Sequence, residues 1–268
     1  LHNHRSLELA HVNDLNADLT TAAHLFEFDT VHGRYPGVVS TNGEAMSIDG
    51  TDVTFSRASK PAEIDWSAAG VDIVIEASGK FKTVDTLQPH LDNGAASVIV
   101  AAPVKDDAVL NVVIGCNDDL YSPTTYPIAT AASCTTNSIA PVVKTLHEAI
   151  GIERGTLTTI HDVTNTQVIV DAPHKDLRRA RSALNSLIPT TTGSATAVTV
   201  IVPELAGRLD GVAVRVPMLN ASLTDLSVSM ERKTSTDEVN DILRSAAEGP
   251  LAGVLGFETK PLVSADYV

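Results

Sequence analysis

Two short apolar runs constrain this chain more than any other feature. Val71 to Glu76 and Ser97 to Ala102 are near-continuous apolar stretches, ended by Ala77-Ser78-Gly79 and by Pro103. A strand that does not alternate reads as buried on both faces, and such strands belong to parallel sheets covered by helices. Between them Thr83 to Asn93 carries Val84, Leu87 and Leu91 at helical spacing, although Pro89 inside it removes one helix hydrogen bond. Strand, helix and strand in that order predict an α/β, doubly wound parallel sheet. Leu7 to Val12, closed by Asn13-Asp14, reads as a further strand. Asn42-Gly43 and Asp49-Gly50 are hairpin signals, so residues 38 to 56 are expected to leave the parallel sheet as an antiparallel excursion.

The second half is patterned differently. Tyr126 to Thr130 is a short apolar strand, and Ser138 to Ile150 places Ile139, Val142, Val143, Leu146 and Ile150 on one helical stripe. Gly155 to Ile160 is another strand. A long polar stretch then runs to about Pro189, longer than an ordinary connection and suspect as functional. A helix is expected over Ser194 to Leu205, and strands over Ala213 to Pro217 and Ser222 to Glu231. Ser235-Thr236-Asp237-Glu238 has the form of a capping box opening a helix from Val239 to Ala247. Such blocks predict an α+β domain with a mixed or antiparallel sheet. The boundary is expected near residue 132, giving domains 1–132 and 133–268 with Cys134 at the cleft between them.

Cys134 lies in Ala-Ser-Cys-Thr-Thr-Asn, residues 132 to 137, between a predicted strand and a predicted helix. A thiol in the first turn of a helix meets unpaired backbone N–H groups and the positive end of the helix dipole, and both favour the thiolate. His161 ends a strand 27 residues later. The two make a plausible nucleophile and base. The competing reading is a small buried hydrophobe and a polar strand terminus. Asp14, at a strand end, is the residue type that accepts from an adenosine ribose in dinucleotide folds, about 20 residues after a glycine fingerprint. That count places the fingerprint before residue 1. Asn13-Asp14 also suits a plain turn. Ser78-Gly79 allows close backbone approach to a ligand, or only a tight turn.

With 19 Lys+Arg against 33 Asp+Glu, the formal charge is −14, which argues against a nucleic-acid partner. The dense basic cluster, Lys175, Arg178, Arg179 and Arg181, reads as an anion site or a solvated helix end. Two cysteines, Cys116 and Cys134, do not build a disulfide framework, so a reducing cytoplasm is expected. No apolar run has the length of a membrane span and no signal pattern is seen. The chain starts on Leu1 and stops at Tyr267-Val268 in a strand-like pattern, and is expected to be cut at both ends.

Taken together these segments resemble glyceraldehyde-3-phosphate dehydrogenase along essentially the whole chain. The resemblance rests on Asn13-Asp14-Leu15, Glu76-Ala77-Ser78-Gly79, the Cys134 hexapeptide, His161 with Thr164-Asn165, and the run from His174 to Arg181. Pro189-Thr-Thr-Thr-Gly193 and Arg215-Val-Pro217 complete it. It implies a Rossmann-type NAD domain followed by a catalytic domain. It also implies oxidation of D-glyceraldehyde 3-phosphate through a thioester on Cys134, with His161 as base and phosphate giving 1,3-bisphosphoglycerate. Cofactor contacts are implied for Asp14, Leu15, Ser78, Gly79 and Ala101, and no metal is. The substrate phosphate falls to Thr164, Arg181 and Arg215, and the attacking anion to Ser133, Thr135, Thr192 and Gly193, with Arg178 and Arg179 left structural. The stretch from Val163 to Leu187 resembles the loop that lines a neighbouring subunit's cofactor site, so a cytoplasmic homotetramer with a glycolytic role is implied.

Departures from the family pattern are few. Ser138 stands where many members have a second cysteine, and Ala101 replaces a frequent serine. Asp14-Leu15 favours NAD, because a carboxylate repels the NADP phosphate, whereas Ala172-Pro173 leaves NADP use open. His161 to Gln167 and Gly193 to Thr196 resemble the arsenic-resistance branch, in which arsenate attacks and 1-arseno-3-phosphoglycerate is exported. Two other classes compete. One is a non-catalytic binding protein on the same fold. The other is a papain-like thiol hydrolase, which would have no use for Asp14 or for two anion sites.

Overall fold

The computed structural model describes His4 and residues 6–267. The chain divides into two compact units, one running to Asn111 and including Tyr121–Ala131, the other made of Val112–Leu120 and everything from Ala132 onward.

The first unit contains β1 (His11–Asn13), α1 (Leu19–Glu27), β2 (Phe28–Asp29), β3 (Gly33–Arg34), β4 (Val39–Asn42), β5 (Ala45–Ile48) and β6 (Thr51–Ser56). It continues with β7 (Ile73–Glu76), α2 (Val84–Asp92), β8 (Ser97–Val100), β9 (Leu110–Asn111) and β10 (Ile128–Thr130). Strands β7, β8, β10 and β9 form an all-parallel sheet in that order. A second sheet, β1-β6-β5-β4, joins β1 to β6 in parallel and folds β4, β5 and β6 as antiparallel hairpins. The turn between β5 and β6 is Asp49-Gly50, with φ of 49° and 85°, the double left-handed conformation that Asp-Gly tolerates. The Asp49 carboxylate locks it by accepting from Val38 N and Tyr35 Oη.

Two expectations change. The first strand is shorter and later than Leu7 to Val12, because the ladder to β6 begins only at His11. The sheet runs are also not buried on both faces among the described residues. Val74, Val98 and Val100 pack with Leu87 of α2 and Trp66, whereas Ile73, Ile75 and Ile99 face outward. Helix α2 runs through Pro89, and its start is closed by Thr86 Oγ1, which accepts from Thr83 N at 3.1 Å.

The second unit contains α3 (Cys134–Ile150), β11 (Ile152–His161), β12 (Ile188–Thr191), α4 (Ser194–Ile201), β13 (Leu209–Arg215), β14 (Ser222–Met230) and α5 (Thr236–Glu248). Its sheet, ordered β12-β13-β11-β14, is mixed: β11 and β13 are parallel, and both outer pairs are antiparallel. Helices α3 and α4 supply Ala140, Val143, Leu146 and Val198 to a core shared with Ile152, Leu157 and Leu205. The helix predicted to reach Leu205 stops at Ile201, since Pro203 cannot continue it and opens a 3-10 turn instead. Ser235 caps α5 by accepting from Glu238 N, while the Glu238 carboxylate turns to Arg232 and Thr234, so half of the expected capping box forms. No helix among the described residues is long and apolar enough to cross a membrane.

Candidate active site

Cys134 is the first residue of α3, and Ser133 is its cap. Ser133 Oγ accepts from Thr136 N at 3.1 Å, and the Thr135 N–H of the same first turn bonds toward the Cys134 thiol. The turn into this helix is sharp. Ala132 sits at φ 53°, a left-handed conformation that costs an alanine about 1–2 kcal/mol. Thr135 is buried directly behind the cysteine.

His161 is the last residue of β11, and Arg215 is the last residue of β13, its in-register parallel neighbour. One sheet edge therefore presents an imidazole and a guanidinium side by side. Cys134 Sγ lies 3.3 Å from His161 Nε2. That contact, then the histidine's charge and the Thr135 N–H and hydroxyl, hold the thiol below its ordinary range, although burial opposes them. The same contact raises His161, against burial and the charge of Arg215. Both shifts point to a thiolate–imidazolium pair.

On its other side His161 Nδ1 lies 3.0 Å from Asp162 O and touches Asp162 Oδ1. Arg215 Nη1 donates to Asp162 O at 2.8 Å and lies 2.9 Å from Nδ1. Burial, then the charge of Arg179, pushes Arg215 below its ordinary value. Arg215 Nε is a buried donor with no hydrogen-bond partner among the described residues. A desolvated cation with an idle donor is what an anion site offers before its ligand arrives.

The remaining expected residues divide. Thr164 Oγ1 bonds Thr166 Oγ1 at 3.0 Å in an exposed turn. Thr192 Oγ1 accepts from Ser194 N at 3.2 Å, and Gly193 caps α4 with open space where a side chain would project. Arg181 does not join Arg215. Its Nε bonds Asp171 at 2.9 Å, in a pair 72% and 57% exposed. Arg179, read from the sequence as structural, turns inward instead. Its Nε and Nη2 donate to Thr190 Oγ1 at 3.0 and 2.8 Å, and Nη1 donates to Thr166 Oγ1 at 3.2 Å. The reason is local: Arg181 is two residues further on, beside the bridge that ties Ser182 to Val168, and Asp171 is the anion within its reach.

In the first unit Asp14 follows β1 with an exposed carboxylate, whose Oδ1 accepts from Asn16 N at 2.8 Å and Ala17 N at 3.2 Å. Leu15 O accepts from Arg57 Nη2 at 3.1 Å. Ser78 N donates to Glu76 Oε1 at 2.7 Å, and Gly79 adopts φ 71° with nothing within 4 Å of where a Cβ would sit. Ala101 N donates to Glu76 O at 2.9 Å beyond the end of β8.

Comparison with known families decides the relationship. The C-terminal domain of glyceraldehyde 3-phosphate dehydrogenase matches residues 133–268, and the NAD binding domain of the same enzyme matches residues 1–84. The chain belongs to the glyceraldehyde-3-phosphate dehydrogenase family. It is 56% identical over 262 residues to glyceraldehyde-3-phosphate dehydrogenase 3 of Nostoc sp., covering 97% of this chain and 77% of that protein. Identity is 46% over 261 residues to glyceraldehyde-3-phosphate dehydrogenase of Geobacillus stearothermophilus, with the same two coverages, 97% and 77%. For the Thermotoga maritima glyceraldehyde-3-phosphate dehydrogenase it is 49% over 262 residues, covering 98% and 78%. As a member of the family the chain is an NAD-dependent oxidoreductase. Its architecture is a Rossmann-type α/β unit followed by an α+β unit with a mixed sheet.

Proposed function

We propose that the chain oxidises D-glyceraldehyde 3-phosphate with NAD, through a thioester on Cys134 that inorganic phosphate cleaves to 1,3-bisphosphoglycerate. The observation that carries the reading is the 3.3 Å approach of Cys134 Sγ to His161 Nε2 at the start of α3. His161 takes the thiol proton on Nε2, and the thiolate adds to the aldehyde carbon to give a thiohemiacetal. The Cys134 N–H and the protonated ring face the developing oxyanion, and Nε2 returns its proton to that oxygen to complete the hydroxyl. His161 then removes the hydroxyl proton as the thioester forms. NAD, when bound, supplies the hydride acceptor.

The first unit suits that cofactor. Asp14 keeps an exposed carboxylate at a strand end, where a ribose hydroxyl can donate, and Gly79 leaves room for close approach. Asp14, Leu15, Ser78, Gly79 and Ala101 are the contacts proposed within an NAD domain of residues 1–132. NADP use is opposed by the Asp14 charge. In the catalytic domain, residues 133–268, Thr164 and Arg215 take the substrate phosphate, with Arg179 in the place first given to Arg181. Ser133, Thr135, Thr192 and Gly193 take the attacking anion.

Arsenate as that anion rests on the resemblance of His161 to Gln167 and Gly193 to Thr196 to the arsenic-resistance branch. Phosphate is the anion of the main reading, in keeping with the glyceraldehyde-3-phosphate dehydrogenase relatives above. A homotetramer is supported by the apolar exposure of Ile169, Val170, Leu177, Leu184 and Leu187, which a lone chain leaves to water. A cytoplasmic, glycolytic setting follows from the same reading. The test is the initial rate of NADH formation from D-glyceraldehyde 3-phosphate with phosphate, with arsenate and with neither. Turnover should require one of the anions and vanish in Cys134→Ala; turnover that survives the substitution overturns the proposal.

A further inference from the structure

The mechanism above leaves one charged group beside the imidazole without a task. Asp162 directly follows the last residue of β11, and its Oδ1 meets His161 Nδ1 on the side of the ring away from Cys134. The two side chains are only 18% and 7% exposed, so this is not a screened surface pair. A second acceptor, Asp162 O, lies 3.0 Å from Nδ1, but Arg215 Nη1 already donates to it at 2.8 Å. Arg215 Nη1 is a donor only, so its 2.9 Å approach to Nδ1 supplies no acceptor. Although a carbonyl can accept twice, the carboxylate is the nearer and the charged acceptor for the Nδ1 proton.

We propose that Asp162 is a positioning residue, whose carboxylate holds the Nδ1 proton of His161 and so presents Nε2 to Cys134 as the base. The proposal rests on the reading of Cys134 and His161 as the reacting pair. When the Cys134 proton moves to Nε2, the Nδ1 proton stays on the ring and is shared toward Oδ1; no other bond changes. The charged groups that face the ring are the thiolate from α3, the Asp162 carboxylate, and Arg215 from β13 with Arg179 beyond it. Strand β14 sets Ser222 opposite His161 and adds no charge. With Asp162 ionised, the thiolate, imidazolium, carboxylate and Arg215 sum to zero. Without it two cations face one anion, and Arg215 disfavours the imidazolium. Family resemblance did not single out this position, and a bland polar strand terminus would leave the cysteine's titration alone.

The test is the pH profile of Cys134 alkylation by iodoacetamide, read by mass spectrometry, in the unaltered chain and in Asp162→Asn, Asp162→Ser and His161→Asn. An opposite charge at contact shifts a titration by about 1–3 pH units. Asp162→Asn should therefore raise the midpoint by about one unit, leaving about tenfold less thiolate on the acid side. Asp162→Ser should do the same should the amide disturb the turn, and His161→Asn should raise it toward the free-cysteine value of about 8.5. An unmoved midpoint in both Asp162 variants, with His161→Asn shifted, overturns the proposal and leaves the pair standing. An unmoved midpoint in His161→Asn as well removes the pair, and the proposal with it.

Discussion

Replacing Arg179 and Arg181 one at a time separates two arginines that the sequence alone does not distinguish. Arg181 and Asp171 form a pair exposed at 72% and 57%, and such pairs contribute about 0–1 kcal/mol. Arg181→Ala should then leave both stability and kcat/KM within about fivefold of the unaltered protein, the factor 1 kcal/mol allows. Arg179 is 20% exposed and places two donors on Thr190 Oγ1, a hydroxyl of a residue itself only 4% exposed. Arg179→Ala strips that buried oxygen of both donors, a loss of about 1–3 kcal/mol in stability. If the same guanidinium steadies the substrate phosphate, a charged hydrogen bond of about 1.5–3 kcal/mol leaves with it, about 10- to 100-fold in kcat/KM. Steady-state rates at varied D-glyceraldehyde 3-phosphate, with urea melts of each variant, measure both effects. Equal losses of kcat/KM in the two variants, or a larger loss in Arg181→Ala, would return the phosphate contact to Arg181 or remove it from both.

Leu157 is 2% exposed at the centre of the mixed sheet, and Leu157→Ala should cost about 2–5 kcal/mol in a denaturant melt. Gly211 lies against it: an added Cβ would sit 2.6 Å from Leu157 Cγ and 2.9 Å from Leu157 O. Gly211→Ala should therefore destabilise by about 1–3 kcal/mol through overpacking, and an unchanged melt would show that the strand can shift. Under the parallel sheet, Trp66 Nε1 donates to His90 Nδ1 at 3.1 Å, so His90 Nε2 holds the proton that faces Glu76 Oε2 at 3.3 Å. Burial pushes Glu76 up, but His90 and Ser78 outweigh it and the carboxyl ends below its ordinary value of 4.5. A depressed carboxyl stabilises the fold above its unfolded pKa, and the contribution fades as pH falls through the native one. The stability gap between the unaltered protein and Glu76→Gln should accordingly be constant near neutrality and shrink on acidification below the ordinary glutamate range.

The parts of the site that regular structure places were legible in the chain. Cys134 follows a capping serine at a strand-to-helix turn and His161 closes an apolar strand, so patterning marks both as element ends, although β10 and β11 belong to different sheets and only the fold brings the thiol to the imidazole. The hairpins were legible for the same kind of reason, since Asp49-Gly50 can hold two left-handed residues. Arg179 was not. It lies in an irregular stretch between His161 and Ile188, where no period says which of four neighbouring basic side chains turns inward. Asp162 looked like any polar residue after a strand, and only the fold shows its carboxylate against His161 Nδ1 and its carbonyl receiving Arg215 from the in-register end of β13. The outward Ile73, Ile75 and Ile99 show the reverse limit: a continuous apolar run states that both faces are to be covered without naming what covers the second.

In the proposed reaction Cys134 carries the acyl group. Mass spectrometry of the protein after exposure to D-glyceraldehyde 3-phosphate and NAD, with phosphate and arsenate withheld, tests it most directly. A 3-phosphoglyceryl adduct is expected on the peptide bearing Cys134, absent from buried Cys116, lost in Cys134→Ala and discharged on adding phosphate. An adduct on another residue, or one that phosphate does not discharge, would contradict it.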